Sequence, residues 1–478
     1  GDHRDLHSFP TRRSSDLYDI VVIGSGPGGY PAAIRAAQLG ASVALIEKNA
    51  IGGTCLNVGC IPTKTLLRGA ELYSELSHSG IFGISAKPTM DYAALVSHKN
   101  KVVSTLVNGV HSLLKSNGVT VLAGTASFVS HNRIAIKRAD GTVTDIGAGK
   151  VIIATGSQSV IPGFIPKHQR VIDSWRFLDM TELPKRLIVL GGGVIGCELA
   201  CLSAMAGVDV VVVELLDDVL TMLDEDVRRE IRRAMEKTLG IRVLTGKPLE
   251  SIAATDTGVS GKAGSESLQA DMLLVAIGRS PYTEGLNLAA AGISPDEKGY
   301  IPVDEFCGTA RAGIYAIGDA VRGLQLAHSA TSEGIIAVEN AVTGSRRKKE
   351  TLIPAAIFTS PQVGTVGISE LDASKRGVSV KVGKFFFRGL GKAISANETT
   401  GFVKWIADSE TGQLLGAAAV GSHATELIHE AAVAIRAELT ADEIGRTVHA
   451  HPTMSEAWME AAHAVKGEAI HLPAKRKA

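Results

Sequence analysis

Short apolar runs alternate with helix-length stretches along most of this chain, and glycines punctuate the joins. Asp19 to Ile23 (DIVVI) reads as a buried strand, the stretch after Gly29 as a helix, and Ser42 to Ile46 as a second strand ending in Glu47. Apolar, β-branched runs of this length bounded by glycine are strand-like. The same order recurs in LIVLGGGVIGCELACLSAMAGVDVVVVE, which ends at Glu214. Residues 91–117 predict a long helix. A β-rich segment follows (GVTVLAGTASFVS, then RIAIKRADGTVTDIGAGKVIIATGS) and closes in a sharp turn at Gly156. MLLVAIGR predicts a strand leading to Gly278, GIYAIGDA one that ends in Gly318 and Asp319, and LAHSATSEG the start of a helix. Arg346 to Lys349 (RRKK) reads as a solvated linker. Beyond it, the strand FVKWIAD and the helices ATELIHEAAVAIRAEL and TADEIGRTV suit an α+β unit.

Each strand–helix–strand repeat carries a glycine fingerprint at its first turn. Gly24, Gly26 and Gly29 give GxGxxG in the first, and Gly191, Gly193 and Gly196 in the second. Such glycines permit a tight turn, close backbone approach to a pyrophosphate and close helix–strand packing; an acid at the end of the second strand can bind a ribose hydroxyl. Glu47 and Glu214 stand there. One chain is thus expected to bind two dinucleotides. At the second site Glu214 favours the free 2′-hydroxyl of NAD, and Leu215 and Leu216 offer no base for a 2′-phosphate.

Composition narrows the class. Lys plus Arg equals Asp plus Glu at 49 each, so no basic footprint suggests nucleic acid. An apolar content of 45% with 4% aromatics and 52 glycines fits a glycine-rich α/β enzyme. The longest apolar stretch, Leu187 to Val213, is interrupted by glycines, Glu198 and Asp209, and is not a membrane span. Five cysteines in 478 residues exclude a disulfide scaffold and are too few and scattered for a zinc or iron–sulfur site, so no metal is expected. Cys197 and Cys201 read as packing residues inside the second fingerprint.

The remaining close pair, Cys55 and Cys60 in GGTCLNVGCIPTK, is the first chemically rich stretch. A helix is expected to start at the Pro62-Thr63-Lys64 step, because proline suits the first helical turn. Thiolates just before a helix N-terminus are stabilised, and Lys64 adds a full positive charge. Such a dithiol can cycle between disulfide and thiolate; a bracing disulfide or two buried thiols would fit the spacing as well. The second rich stretch is HAHPTMSE, residues 449–456. His451 is held extended by Pro452, and Glu456 can bond one ring nitrogen and raise imidazole basicity. A surface histidine with a helix-capping glutamate is the bland alternative.

Residues 1–17 (GDHRDLHSFPTRRSSDL) show no signal-peptide core and no strand or helix period. They match what a translated sequencing adapter would encode, and are expected to be a non-native leader.

In their order, the nucleotide motif, the Cys-x4-Cys pair, the second nucleotide motif, the GD strand end and HPTMSE resemble the flavin-dependent pyridine nucleotide–disulfide oxidoreductases, from Tyr18 to about Ala462. The resemblance implies an α/β fold of two Rossmann-like dinucleotide-binding domains plus an α+β C-terminal dimerisation domain. The expected borders are FAD-binding 18–157, NAD-binding 158–282, a central return segment 283–350 and an interface domain 351–478. It implies FAD and NAD as cofactors, and a homodimer in which His451 serves the partner subunit's cysteines. By it, Cys55 is the interchange thiol and Cys60 the flavin-proximal one, and Lys64 sits near the flavin, paired with Glu198. Asp319 binds the ribityl chain, Ala327 and His328 lie by the flavin ring, and Gly124 lies near the adenine. Thr54, Thr155 and Gly156 join the flavin site and Gly278 the NAD site. The implied activity is reoxidation of protein-bound dihydrolipoamide with NAD⁺ as acceptor. Lipoyl domains of a 2-oxo acid dehydrogenase complex or the glycine cleavage system are the implied partners, in the cytoplasm.

Thr63 stands where the family often has Ser, and Gln325 where it often has Met. The rival readings are an NADPH-dependent reductase of the glutathione type, which would want arginines after Glu214, and a non-catalytic structural subunit of a 2-oxo acid dehydrogenase complex. Cysteines for an extra C-terminal redox pair are absent after Cys307.

Overall fold

A computed structural model describes residues 17–473. The expected leader lies outside them except for Leu17, which opens β1 (Leu17–Ile23) opposite Gly147. The chain forms two compact units. The first comprises residues up to Pro62, Asn100–Gln158 and Arg279–Glu350; the second comprises Thr63–Lys99, Ser159–Gly278 and the chain from Thr351 onward.

In the first unit β1 is followed by helix α1 (Gly29–Gln38) and β2 (Val43–Glu47). A parallel core joins β1 to β2, β2 to β3 (Thr120–Ala123), and β1 to β6 (Val143–Ile153). Ile314–Ala316 adds to β6 in parallel. At the far edge β4 (Thr125–Ser130) and β5 (Arg133–Lys137) run antiparallel, giving the order β3-β2-β1-β6-β5-β4. A strand covered on both faces must be apolar throughout, and β1 shows why DIVVI does not alternate. Ile20 and Val22 pack with Ala32, Ala33 and Ala36 of α1, while Val21 and Ile23 pack with Phe128 and Ile134. Each such burial contributes about 1.5–3 kcal/mol.

The second unit holds a parallel sheet in the order Arg242–Leu244, Asp209–Val213, Arg186–Leu190, Met272–Val275 and Val171–Ile172. Against it lies the helix Val194–Met205, buried along most of its length. Residues 63–99, expected within the first domain, belong to this unit: Leu66, Leu67, Ala70, Tyr92 and Val96 share a core with Leu199 and Val212. Cys197 and Cys201 are wholly buried, as packing residues should be. Burial pushes the Cys197 thiol well up and the Cys201 thiol up to about 12.

The C-terminal part is an antiparallel sheet in the order Ala355–Ile357, Val363–Gly367, Leu414–Val420, Phe402–Asp408, Val380–Phe386. The helices Ala424–Arg436 and Glu456–Lys466 share its core. Trp405 and Trp458 pack there with ring centroids 4.6 Å apart and planes tilted by 48°, and Trp405 Nε1 donates to the Trp458 carbonyl. Among the described residues one group of acids is close enough to share a cation: Asp224, Asp226 and Glu370. The fully buried Lys404 ammonium already sits on all of them, at 2.7, 2.8 and 2.5 Å. A lysine therefore holds the place a metal would take. No described helix is long and apolar enough to cross a membrane.

RRKK is irregular, as expected of a linker, but it is not simply solvated. Arg347 pairs with Glu339 and Glu350, Lys348 with Glu305, and the Arg346 guanidinium lies over the Phe306 ring. Acids on neighbouring elements pin it, a feature invisible in the local sequence.

Candidate active site

The two fingerprints are built alike. Gly24 and Gly191 have φ of +99° and +112°. A Cβ on either would lie 2.3 and 2.4 Å from the carbonyls of Ala154 and Ala276. A Cβ on Gly29 or Gly196 would strike the carbonyl of Gly24 or Gly191 at 1.8 and 2.0 Å. The protein itself thus demands the first and third glycines. The middle ones differ: a Cβ on Gly26 or Gly193 would meet no protein atom within 4 Å. Space is left open there, at the start of each helix, where oriented N–H groups favour an anion.

Glu47 and Glu214 repeat the symmetry. Glu47 Oε2 accepts from Ser25 N and Oγ at 2.9 and 2.6 Å, and Glu214 Oε2 accepts from Gly192 N at 2.5 Å. Gly124 N donates to the Glu47 carbonyl, which brings Gly124 beside the acid that ends β2. Gly156 turns the chain at φ +73°, and Gly278 does so at +133°. Beside Gly156, the Thr155 hydroxyl is buried without a protein partner. Asp319 is fixed by Ser157, whose Oγ donates to Asp319 Oδ2 at 2.5 Å; Arg279 Nε in turn donates to Ser157 Oγ at 2.7 Å. Ala327 and His328 open the helix Ala327–Thr343.

The dithiol segment is seated on the first fingerprint. Gly52 N donates to the carbonyl and hydroxyl of Ser25, and a Cβ on Gly53 would lie 2.7 Å from the Gly26 Cα. Only a chain with no side chain at Gly53 can come so close. From this contact α2 (Gly53–Val58) starts, carrying Thr54 and Cys55, and after a break at Gly59 α3 (Cys60–Ser77) starts at Cys60. The expected start at Pro62 is corrected by two residues: Cys60 is the first residue of α3 and Pro62 lies in its first turn. Gly59 explains the break, since a Cβ there would meet the Thr54 carbonyl at 2.9 Å. Both sulfurs belong to half-buried residues. Burial pushes the Tyr30 phenol up, and the nearby Cys55 adds to the shift.

In the second unit Lys64 Nζ donates to Glu198 Oε2 at 2.8 Å. Phe358 holds this pair from both ends: its N–H donates to Glu198 Oε1 at 2.8 Å, and the Lys64 ammonium sits 4.5 Å from its ring centroid. The His451 imidazole is 74% exposed, with Nδ1 2.8 Å from Glu456 Oε1. Partial burial pushes the Glu456 carboxyl up, but the Thr453 N–H and the His451 ring outweigh it and hold the carboxyl below its ordinary value. A carboxylate on Nδ1 leaves Nε2 to act as base.

Residues 18–334 match the family model described as pyridine nucleotide–disulphide oxidoreductase, and residues 353–462 match the dimerisation domain of the same description. The chain belongs to the pyridine nucleotide–disulphide oxidoreductases. Among the members of that family it is similar to the dihydrolipoyl dehydrogenase of Haloferax volcanii, at 43% identity over 95% of this chain and 97% of the other. It is similar also to that of Thermus scotoductus, at 42% over 95% and 99%. The solved structure of LpdA from Mycobacterium tuberculosis superposes with a TM-score of 0.87 at 29% identity, covering 93% of this chain and 98% of that one. The chain is an oxidoreductase of a family that uses FAD and NAD, and its match to a dimerisation domain supports a homodimer. The residues present fit such cofactors: the space beside Gly26 and Gly193 and the partnerless Thr155 hydroxyl each suit a group outside the protein.

The HAHP segment contains a second imidazole–carboxylate pair that the sequence did not disclose. His449 Nε2 lies 2.8 Å from Glu430 Oε1 and its imidazole is 6% exposed. The local signal was the motif HAHP itself, but Glu430 lies 19 residues upstream. The Glu430 carboxylate raises the His449 pKa above its ordinary value, against an opposing effect of burial. A raised histidine pKa stabilises the fold below the unfolded value, and the contribution is lost as pH rises through the folded one. The melting temperature lost in Glu430→Gln is therefore expected to be larger at about pH 6 than at about pH 9. Thermal scans at both pH values check this, and an equal loss would contradict it.

Proposed function

We propose that this chain reoxidises protein-bound dihydrolipoamide, as a flavoprotein dihydrolipoyl dehydrogenase, with Cys55 and Cys60 as its redox pair. The observation that carries the reading is the seat of the dithiol, whose leading glycine lies on Gly26 of the first fingerprint. His451 of the partner subunit takes a proton from a substrate thiol through Nε2, with Glu456 fixing its Nδ1–H. The substrate thiolate attacks Cys55 Sγ of the oxidised pair, and the Cys55–Cys60 bond breaks to leave Cys60 as thiolate. The imidazole passes its proton to Cys55 and takes that of the second substrate thiol, which attacks the mixed disulfide; the bond from Cys55 to the substrate breaks, releasing the cyclic disulfide and leaving Cys55 as a thiol. Two electrons and two protons leave the substrate. Gly24, Gly26, Gly29, Glu47, Thr155 and Asp319 would hold FAD, which would supply the two-electron chemistry that regenerates the disulfide and reduces NAD⁺. Cys60 opens α3, so the helix dipole steadies its thiolate. Lys64 lies one turn further along the same helix, with Glu198 and Phe358 fixing its ammonium. The second fingerprint, with Glu214 at its end, receives NAD. Lipoyl domains of a 2-oxo acid dehydrogenase complex or of the glycine cleavage system are the partners this chemistry suits, in a cytoplasmic setting.

Anaerobic addition of dihydrolipoamide to the purified protein should change its flavin absorbance, and NADH should form when NAD⁺ follows. A flavin that ignores dihydrolipoamide yet is reduced by NADPH would replace this reading with the glutathione type. The open space at Gly26 gives a second test. Gly26→Val is expected to leave the circular dichroism spectrum intact while the protein loses most of its flavin. Full flavin stoichiometry in that variant would move the cofactor elsewhere.

A further inference from the structure

We infer that Asp218 determines cofactor selectivity at the second fingerprint by occupying two arginines, Arg228 and Arg232, that would otherwise receive a 2′-phosphate. The inference rests on the proposed role of Glu214 as the ribose-binding acid. After Glu214 the chain folds back over the fingerprint: Leu220 N donates to the Gly192 carbonyl at 2.9 Å. On the other side it is tied to the segment 244–247. Glu214 N donates to Leu244 O, Lys247 N to Glu214 O, and Gly246 N to Leu216 O. Leu215 and Leu216 are exposed and uncharged.

The absence of arginine directly after Glu214 does not leave the region without cations. Arg232 Nη1 lies 3.4 Å from Thr245 Oγ1, within the segment that ties down Glu214. The same guanidinium reaches Asp218 Oδ1 at 3.3 Å, and its Nε donates to Glu236 Oε1 at 3.1 Å. Arg228 Nη1 donates to Asp218 Oδ2 at 2.9 Å while its Nε caps the Leu223 carbonyl. Lys247, in the same segment, pairs with Glu266 at 3.5 Å. Asp218 is 18% exposed and its two arginines 20% and 31%, so solvent screens these pairs only in part. Arg228, Arg232 and Lys247 are thus each matched by a carboxylate. A 2′-phosphate would have to displace Asp218 from guanidiniums it already satisfies, and would meet Glu214 as well; a 2′-hydroxyl makes no such demand.

Asp218→Asn keeps the side chain's shape and removes its charge, and Asp218→Ser checks the same point with a smaller group. Calorimetric titration of the flavoprotein with NAD⁺ and with NADP⁺ reads the effect directly. In both variants the affinity for NADP⁺ relative to NAD⁺ is expected to rise about tenfold, the worth of one freed charge-assisted hydrogen bond. The gain should shrink with added salt and vanish when Arg228→Gln and Arg232→Gln are both added to Asp218→Asn. An unchanged ratio, or a gain that survives Arg232→Gln with Arg228→Gln, overturns the role of Asp218 while the NAD site stands. Wild-type protein that binds NADP⁺ as well as NAD⁺ would overturn the NAD reading itself, and the inference with it.

Discussion

Replacing Cys55 by Ser is expected to reduce dihydrolipoamide oxidation to the assay floor while the protein keeps its flavin. Thiol–disulfide exchange needs a sulfur as the site of attack, and a hydroxyl neither forms the disulfide nor accepts the substrate thiolate. The change removes one sulfur from a half-buried residue on α2, so the packing of Leu56, the buried residue of that helix, is untouched. The seat on the first fingerprint depends on Gly52 and Gly53, which also remain. Flavin content and melting temperature should therefore match the wild type, and NADH should still reduce the flavin, since that half-reaction needs no dithiol. Turnover with dihydrolipoamide near the wild-type rate would remove Cys55 from the mechanism. Cys197→Ser is the contrasting control. That thiol is wholly buried and protonated, so the substitution should cost stability and leave the redox chemistry in place.

Replacing His451 by Gln is expected to slow dihydrolipoamide oxidation by roughly 10²–10⁴-fold, the usual worth of a positioned general base. An imidazole that is 74% exposed contributes little packing, so the loss should appear in turnover and not in the melting temperature. Glutamine keeps a donor toward Glu456 but offers no basic nitrogen to the substrate thiol. The residual rate should rise with pH as the substrate thiols ionise on their own. Reduction of the flavin by NADH, measured in a stopped flow, should be unaffected. Near-wild-type oxidation of dihydrolipoamide would assign His451 to the surface.

Sequence alone was enough for the two nucleotide folds, because their signals are local. After Asp19, DIVVI is apolar at four consecutive positions, so its strand had to be covered on both faces, and the sheet shows it so. Gly29 and Gly196 are each required by a carbonyl within a single strand–turn–helix unit, that of Gly24 or Gly191, whereas Gly24 and Gly191 are required by the carbonyls of Ala154 and Ala276, far along the chain. The dithiol and the HAHP motif were legible because their chemistry lies within a few residues, and the acids Glu47 and Glu214 because each closes the same strand–helix–strand unit as its glycines, 22 residues from the backbone N–H it accepts from. The helix start at Cys60 was missed by two residues, since the break depends on how Gly59 packs on Thr54 and not on the proline that follows.

Tertiary structure decided what distant segments do to one another. Lys64 and Glu198 are 134 residues apart, and the Phe358 N–H that completes their arrangement is 160 residues from Glu198. No periodicity links such positions. The acids Asp224, Asp226 and Glu370 would pass for a metal site in any reading that lacked the buried ammonium of Lys404. The pairs His449–Glu430 and Asp218–Arg232 likewise exist only because the fold brings a loop residue against a residue inside a helix. Hydrophobic pattern and turn chemistry act over one to a few residues, so they can be read along the chain. Charge pairing acts through space, and only the fold states which charges meet.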